Sequence, residues 1–327
     1  MNQIFTSSPN LSLLIAIPCF NEQSTIADLL ESIPREFAGV SNFTVVVIDD
    51  GSTDSTREIA DAKGATVITH ATNLGLGTAF KNAVEYALEF NFDLLLTIDA
   101  DGQFNPLQIS NLLESIQSRN SDVVSGSRFL PDSKVLGIPR VRLIGNRIYS
   151  ILINNLANIS ISDSSCGFRV YSRKALYHLN LSGGFTYTHE SLIMLGQQGI
   201  KISEIPIEVK YFENRNSTLT NNLFIYALKT LKIAAKTYFF YAPARVFYYV
   251  GNIFTLLTVT FGFMFIYHKL TTGTFAGYFF AGALATVLGV IGLLCYTASA
   301  IAIVLRNILK QQSKLLSLTK QTFFREL

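Results

Sequence analysis

Two stretches near the C-terminal end carry no formal charge: 22 residues from Val246 to Tyr267, and 31 from Phe275 to Leu305. A helix needs about 20 apolar residues to cross a hydrocarbon core about 30 Å thick, so each stretch is long enough to span a bilayer. A buried helical hairpin in a soluble core rarely goes so long without a charge. Lys229, Lys232, Lys236 and Arg245 precede the first stretch, and Arg306, Lys310, Lys314 and Lys320 follow the second. The turn between them carries only Lys269. Cytoplasmic flanks are enriched in Lys and Arg, so both ends are expected in the cytoplasm with the turn on the far side. The opening MNQIFTSSPN has neither the basic start nor the apolar core of a signal peptide, which leaves the large preceding region on the cytoplasmic side. The chain therefore reads as an integral, multi-pass membrane protein, of the inner or plasma membrane if it is bacterial.

That preceding region has a different texture. Short apolar runs at Leu11–Ile17, Val45–Asp49, Ala65–His70, Leu94–Asp99 and Asp122–Phe129 alternate with helical patterns, one of them Gly77–Glu89. Strands alternating with helices of this length predict a mostly parallel sheet covered on both faces. Ser55 and Glu58 have the spacing of a capping box at a helix start. Pro139–Ile159 turns helical, and Gly167–Tyr171 and Ile202–Val209 return to strand. Asn222–Tyr241 reads as an amphipathic helix with Lys229, Lys232 and Lys236 on one face, suited either to a membrane interface or to the surface of the large domain. The expected plan is an α/β domain at 1–221, an interfacial helix at 222–244, a hairpin at 245–305 with spans near 246–267 and 279–303, and a basic tail at 306–327. Three cysteines at no metal-like spacing argue against disulfides and zinc. A net charge of +3, gathered near the spans, argues for a membrane surface and against nucleic acid. Nothing in the sequence opposes a homo-oligomer.

Four motifs fall at the C-terminal ends of successive strands: Pro18-Cys19-Phe20-Asn21-Glu22, Asp49-Asp50-Gly51-Ser52, Asn73-Leu74-Gly75-Leu76-Gly77 and Asp99-Ala100-Asp101-Gly102-Gln103. Open α/β sheets bind ligands at those strand ends. An Asp-x-Asp pair delivered there suits a hard divalent cation, which takes carboxylate oxygens and substrate phosphates in place of a full protein cage. Taken alone the pair also fits an ordinary acidic turn. Asp50 before Gly-Ser offers a carboxylate at a tight turn, able to accept hydrogen bonds from a base or ribose. Gly75 and Gly77 permit close backbone approach but do not make a dinucleotide fingerprint, since the third glycine is missing. Arg128, Arg140, Arg142 and Arg147 could grip phosphate oxygens, although for any one of the last three a solvated helix face fits as well. His70 and His178 read as structural. His189-Glu190, after Ser182-Gly183-Gly184, is a weak candidate for the acceptor side.

Together these residues resemble family 2 glycosyltransferases of the GT-A fold, and within them the polyprenyl-phosphate group typified by dolichol-phosphate mannose synthase. The resemblance covers residues 11–217 and is strongest in the first 130. It implies a Rossmann-like nucleotide-sugar-binding domain in which Pro18, Phe20 and Glu22 line the nucleotide pocket. It further implies that Asp50 reads the nucleoside, and that Asp99, Asp101 and Gln103 hold Mg²⁺ or Mn²⁺ and the diphosphate. Gly126-Ser127-Arg128 matches the family's Gly-Ser-Arg element and places Arg128 near the phosphates. Asp163 to Arg169 matches its Asp-x-x-x-Gly-Phe-Arg segment and places Arg169 on the acceptor side. Arg215 and Ser217 fall where the family carries an Arg and a Gly-x-Ser loop, here shortened and without its glycine. The implied reaction is inverting transfer of one sugar from a GDP- or UDP-sugar to a membrane polyprenyl phosphate, undecaprenyl or dolichyl, with Asp101, Arg128 and Arg169 at the chemistry.

Two other readings compete. A processive polysaccharide synthase shares such a donor site, but it resembles its relatives in a Gln-x-x-Arg-Trp element, and this chain has no tryptophan. A non-catalytic membrane scaffold would be expected to have lost the metal carboxylates, which are present here.

Overall fold

The computed structural model describes residues 10–136, 140–181, 187–210, 232 and 234–326. The chain divides into two units, Met1–Thr230 with Lys314–Leu327, and Leu231–Ser313.

The first unit is built on a seven-stranded sheet in the order β3-β2-β1-β4-β7-β5-β8. Its strands are β1 (Leu11–Cys19), β2 (Val40–Asp49), β3 (Thr66–Thr69), β4 (Leu94–Thr97), β5 (Val123–Ser127), β7 (Arg169–Ser172) and β8 (Ile202–Pro206). A second, two-stranded sheet pairs β6 (Lys134–Leu136) with β9 (Glu208–Lys210). The helices are α1 (Ile26–Ser32), α2 (Thr56–Ala62), α3 (Leu76–Glu89), α4 (Ile109–Ser118), α5 (Arg140–Ala157), α6 (Arg173–Tyr177) and α7 (Tyr187–Gln197). Strand β1 shows why the sheet is covered on both sides. Leu13, Ile15 and Ile17 enter one core with Leu29 of α1 and Leu112 of α4, while Leu14 and Ala16 enter the other with Ala83 of α3 and Leu176 of α6. A strand buried on both faces reads as an unbroken apolar run, which is what LLIAI is.

Two features of the topology place the site. β1 pairs in parallel with β2 on one side and β4 on the other, so the strand order reverses at β1. The crevice opens there, between the chains leaving β1 and β4. β7 runs antiparallel to both β4 and β5, with Arg169 opposite Thr97. An antiparallel strand begins where its parallel neighbours end, so the segment entering β7, Asp163–Phe168, arrives at the same sheet edge as the acidic motifs.

The expected strands and helices are present within a few residues, with two corrections. The Ile202–Val209 run is two strands in different sheets, β8 and β9. Ser55 does precede α2, but its hydroxyl makes no capping bond; the Thr56 amide donates to Asp54 Oδ1 instead, at 3.0 Å.

In the second unit, the helix Pro243–Thr272 and the apolar part of the helix Phe279–Glu326 each pass the length and composition test for a membrane span. Only 6% and 11% of their most apolar windows are buried within the chain, whereas the core helix of a soluble protein would be mostly covered. The two helices are joined by polar contacts: Ser299 Oγ donates to the Ala244 carbonyl at 2.8 Å, and Tyr296 Oη to Asn252 Oδ1 at 2.8 Å. Such contacts suit helix pairs in lipid, where apolar burial between helices brings little.

The expected basic tail differs. It continues the second helix, and its last turns belong to the first unit. Ser317 is buried there, Lys320 Nζ donates to the Leu179 carbonyl at 2.7 Å, and Phe324 packs against the core cluster of α3 and α6. Of the expected interfacial helix at 222–244, residues 232 and 234–241 are helical, Ala242 breaks the run and Pro243 starts the first long apolar helix, and 222–231 and 233 lie outside the described residues.

Candidate active site

The crevice at the strand-order reversal holds a cavity of about 330 Å³, lined by Pro18, Phe20, Glu22, Asp50, Asn73, Gly75, Leu76, Asp99 and Asp101, among others. All nine belong to the four motifs read from the sequence and meet in one place, although Pro18 and Asp101 are 83 positions apart.

Asn21, at a φ of +56°, turns the chain out of β1. Its Oδ1 accepts from the Thr53 amide at 2.8 Å, locking the first motif to the second. Phe20 is 42% exposed, an aromatic face left open at the cavity. Cys19 lines the wall; burial, with Asp49 adding to it, pushes its thiol up to about 12, so it serves as an inert apolar surface. Asp50 is buried and accepts from the Leu74 amide at 2.8 Å, the Gly75 amide at 2.7 Å and His70 Nδ1 at 2.7 Å.

Asp99 and Asp101 follow β4. Asp101 Oδ1 accepts from the Gln103 amide at 3.0 Å, a side-chain turn that fixes the carboxylate's direction. Asp99 is half-buried, and burial, followed by the Asp101 charge, raises it to about 7; Arg128 and Arg169 act in the opposite sense. Two acids pressed together until one resists ionising are poised for a divalent cation, which removes the repulsion. The residues thus fit a hard cation bound by two carboxylates, with its other positions left to water and phosphate. Among the described residues no three His, Cys, Asp or Glu side chains converge on a point, so no all-protein cage competes with that arrangement. Gln103 is outside the cavity wall; its carbonyl accepts from the Lys210 amide of β9 at 3.1 Å.

The side that the resemblance assigns to the acceptor is organised otherwise. Arg128 forms a two-pronged ion pair with Asp163, Nε to Oδ2 at 2.6 Å and Nη2 to Oδ1 at 2.8 Å, with its side chain 13% exposed. Asp163 in turn is held from β8: Glu204 Oε1 accepts its amide at 2.9 Å, and Glu204 Oε2 accepts the Ser162 amide at 2.6 Å. Helix α5 is tied to the same loop, with Asn146 Nδ2 donating to the Ser162 carbonyl at 2.9 Å. Residues 128, 146, 163 and 204 form one network that sequence spacing could not reveal. Glu204 in particular carries no local signal.

Arg169 corrects the sequence reading. It is fully buried, and its guanidinium donates to Ser125 Oγ at 3.1 Å, the Thr188 carbonyl at 2.7 Å and the Ser164 carbonyl at 3.0 Å. As the first residue of a strand flanked on both sides, it braces the wall and does not reach an acceptor. His189 also corrects: it is half-buried, stacked on Tyr149 at 4.9 Å, and lowered to about 4 by desolvation and then by the Arg169 charge. Gly167 is needed for closeness. A methyl group there would lie 2.7 Å from Tyr187 Oη and 3.0 Å from Asp99 Oδ1. Arg215 and Ser217 lie outside the described residues, as do the side chains of Arg140 and Arg142.

The profile of the family described as glycosyl transferase family 2 matches residues 14–179, just over half of the chain. The chain belongs to glycosyl transferase family 2. Among its relatives is an undecaprenyl-phosphate mannosyltransferase of Micrococcus luteus, 30% identical over 60% of this chain and 83% of that one. Another is a UDP-N-acetylglucosamine–dolichyl-phosphate N-acetylglucosaminyltransferase of Methanococcus voltae, 26% identical over 64% of this chain and 90% of that one. A glucosyl-3-phosphoglycerate synthase of Mycobacterium tuberculosis, solved with Mn²⁺, UDP and glucosyl-3-phosphoglycerate, superposes with a TM-score of 0.52 at 21% identity, covering 68% of this chain and 80% of that one. That likeness establishes the GT-A fold of this glycosyltransferase. The family match spans the whole donor crevice and stops before the long helices.

Proposed function

We propose that this glycosyltransferase moves one sugar from a GDP- or UDP-sugar to a polyprenyl phosphate, undecaprenyl or dolichyl, at the cytoplasmic face of a membrane. The observation that carries the reading is the Asp99–Asp101 pair in the wall of the crevice of about 330 Å³ that Pro18, Phe20, Glu22 and Asp50 also line. In this reading Asp99 and Asp101 hold Mg²⁺ or Mn²⁺, and Gln103, outside the cavity wall, supports the site through its amide, which orients Asp101; the M. tuberculosis structure was solved with Mn²⁺ and UDP. A bound divalent cation would neutralise charge developing on the leaving diphosphate. Pro18, Phe20, Glu22 and Asp50 bind the nucleoside end, with the Phe20 ring against the base. Arg128, aimed by Asp163, faces the same charge from the acceptor side. An acceptor phosphate is already anionic near neutral pH and attacks as it stands, so no general base is required. Attack from the face opposite the leaving group inverts the sugar's configuration.

Membrane placement supports the lipid acceptor. Besides the two apolar helices, α5 exposes Leu143, Ile144, Ile148 and Ile151, and the sequence Arg140–Ala157 has no acidic residue. An apolar face with only positive charges suits an anionic lipid surface. The names of the M. luteus and M. voltae relatives point to the same acceptor class. A panel of nucleotide sugars with undecaprenyl and dolichyl phosphate, with and without EDTA, tests the proposal. Transfer from no donor to either lipid, or transfer indifferent to chelation, refutes it.

A further inference from the structure

Asp50 is a buried carboxylate at the cavity wall, and such a group is stable only with several donors. It has three, at 2.7–2.8 Å: the Leu74 amide, the Gly75 amide and His70 Nδ1. An ionised carboxylate can only accept, so the ring proton of His70 must sit on Nδ1. His70 Nε2 is then an acceptor, and Asn82 Nδ2 stands 2.7 Å from it. Asn82 belongs to α3, whose first residues include Leu76 and Ala79 of the cavity wall. One chain of hydrogen bonds thus runs from α3 through His70 and Asp50 to the amides of the 74–75 loop. Gly75, at a φ of +89°, lies at the end of this chain and lines the cavity. His70 itself is 8% exposed and is absent from the cavity wall.

We propose that His70 is a positioning residue for nucleotide binding. Its Nδ1–H holds the Asp50 carboxylate against the 74–75 amides, Asn82 selects that tautomer, and Asp50 keeps its last lone pair for the nucleoside. The proposal rests on the nucleotide reading above for its ligand, but the tautomer and its partners stand on geometry alone. It reassigns a histidine that the sequence alone presented as filler at the end of a strand.

The test uses two amide replacements of differing reach on the full chain in detergent. An Asn side chain places its nitrogen where His carries Nδ1, so His70→Asn keeps the donor to Asp50. A Gln side chain places its nitrogen near Nε2, so His70→Gln loses it. Titrating UDP and GDP with Mn²⁺ by calorimetry, we expect His70→Asn to stay within about threefold of wild type. His70→Gln and His70→Ala should weaken binding about tenfold or more, the size of one hydrogen bond to a charged group. In turnover the loss should fall on the donor KM and spare kcat. Ring ¹⁵N shifts should place the proton on Nδ1, with Asn82→Leu admitting the other tautomer. Equal weakening by Asn and Gln, or a proton on Nε2 in wild type, would overturn the proposal. If wild type bound neither nucleotide, the ligand assignment would fall, while the nitrogen shifts would still decide the tautomer.

Discussion

The two sides of the crevice hold their charges in opposite ways. On the donor side, Asp99 and Asp101 both line the cavity, and burial, with the Asp101 charge adding to it, lifts Asp99 to about 7. On the acceptor side, Arg128 is matched by Asp163, whose amide is held by Glu204, and Arg169 is surrounded by carbonyls and hydroxyls. The donor side stores repulsion that an incoming cation relieves, so its residues matter for binding and chemistry. The proposed acceptor side is already satisfied among its own residues, so Asp163, Glu204 and Arg169, which hold Arg128 and the wall in place, matter first for shape. Substitutions should divide along that line, with activity lost on one side and stability on the other.

The largest effect should come from Asp101→Ala. Transfer should drop by about 10³-fold or more, since a removed electrostatic partner of the leaving group costs at least that order. The melting temperature should stay near wild type, because the residue is half-buried in the turn after β4 and belongs to neither core cluster. Unfolding of this variant under assay conditions would break the comparison at its donor end.

Asp163→Ala should do the reverse. Stripping the partner from a mostly buried arginine costs about 3–5 kcal/mol, or roughly 10 °C in a thermal melt for a domain of this size. Arg169→Ala belongs with it, because the Thr188 and Ser164 carbonyls lose their donor. Nucleotide affinity measured below the melting point should survive in Asp163→Ala. A variant with an unchanged melt and selectively lost use of the lipid would show that Asp163 works in the chemistry.

A third expectation concerns pH. A protonated Asp99 cannot ligate a cation, and its value of about 7 sets the window. Apparent Mn²⁺ affinity should rise about tenfold per pH unit below 7 and level off above it. Direct Mn²⁺ titration between pH 5.5 and 8.5 checks this, and a flat response would mean the two acids are not jointly engaged.

The smallest effect sharpens the comparison by leaving both sides alone. Phe324→Ala removes part of an aromatic contact on the α3–α6 face and should cost about 1 kcal/mol, a shift of about 2–4 °C. Because residues 314–326 pack on the first unit, a truncation at Tyr241 should lower the melt by at least as much. A soluble truncated form that melts like the intact protein would show this contact to be dispensable.

The sequence by itself settled whatever depends on near neighbours. The β1 and β4 runs, the Asp-x-Asp pair and the two uncharged stretches are each contiguous, and burial, charge and length act on contiguous residues directly. That was enough for the α/β sheet, the donor motifs and the apolar hairpin. Tertiary structure decided what depends on direction and distance. Only the antiparallel course of β7 brings 163–168 to the donor edge, and only pairing with β8 sets Glu204 beneath Asp163, 41 positions away. Arg169 and His70 exchanged significance for the same reason. A motif records which side chains are present, but burial decides whether a guanidinium faces a ligand or a carbonyl, and a chain of hydrogen bonds decides whether an imidazole is filler or a strut.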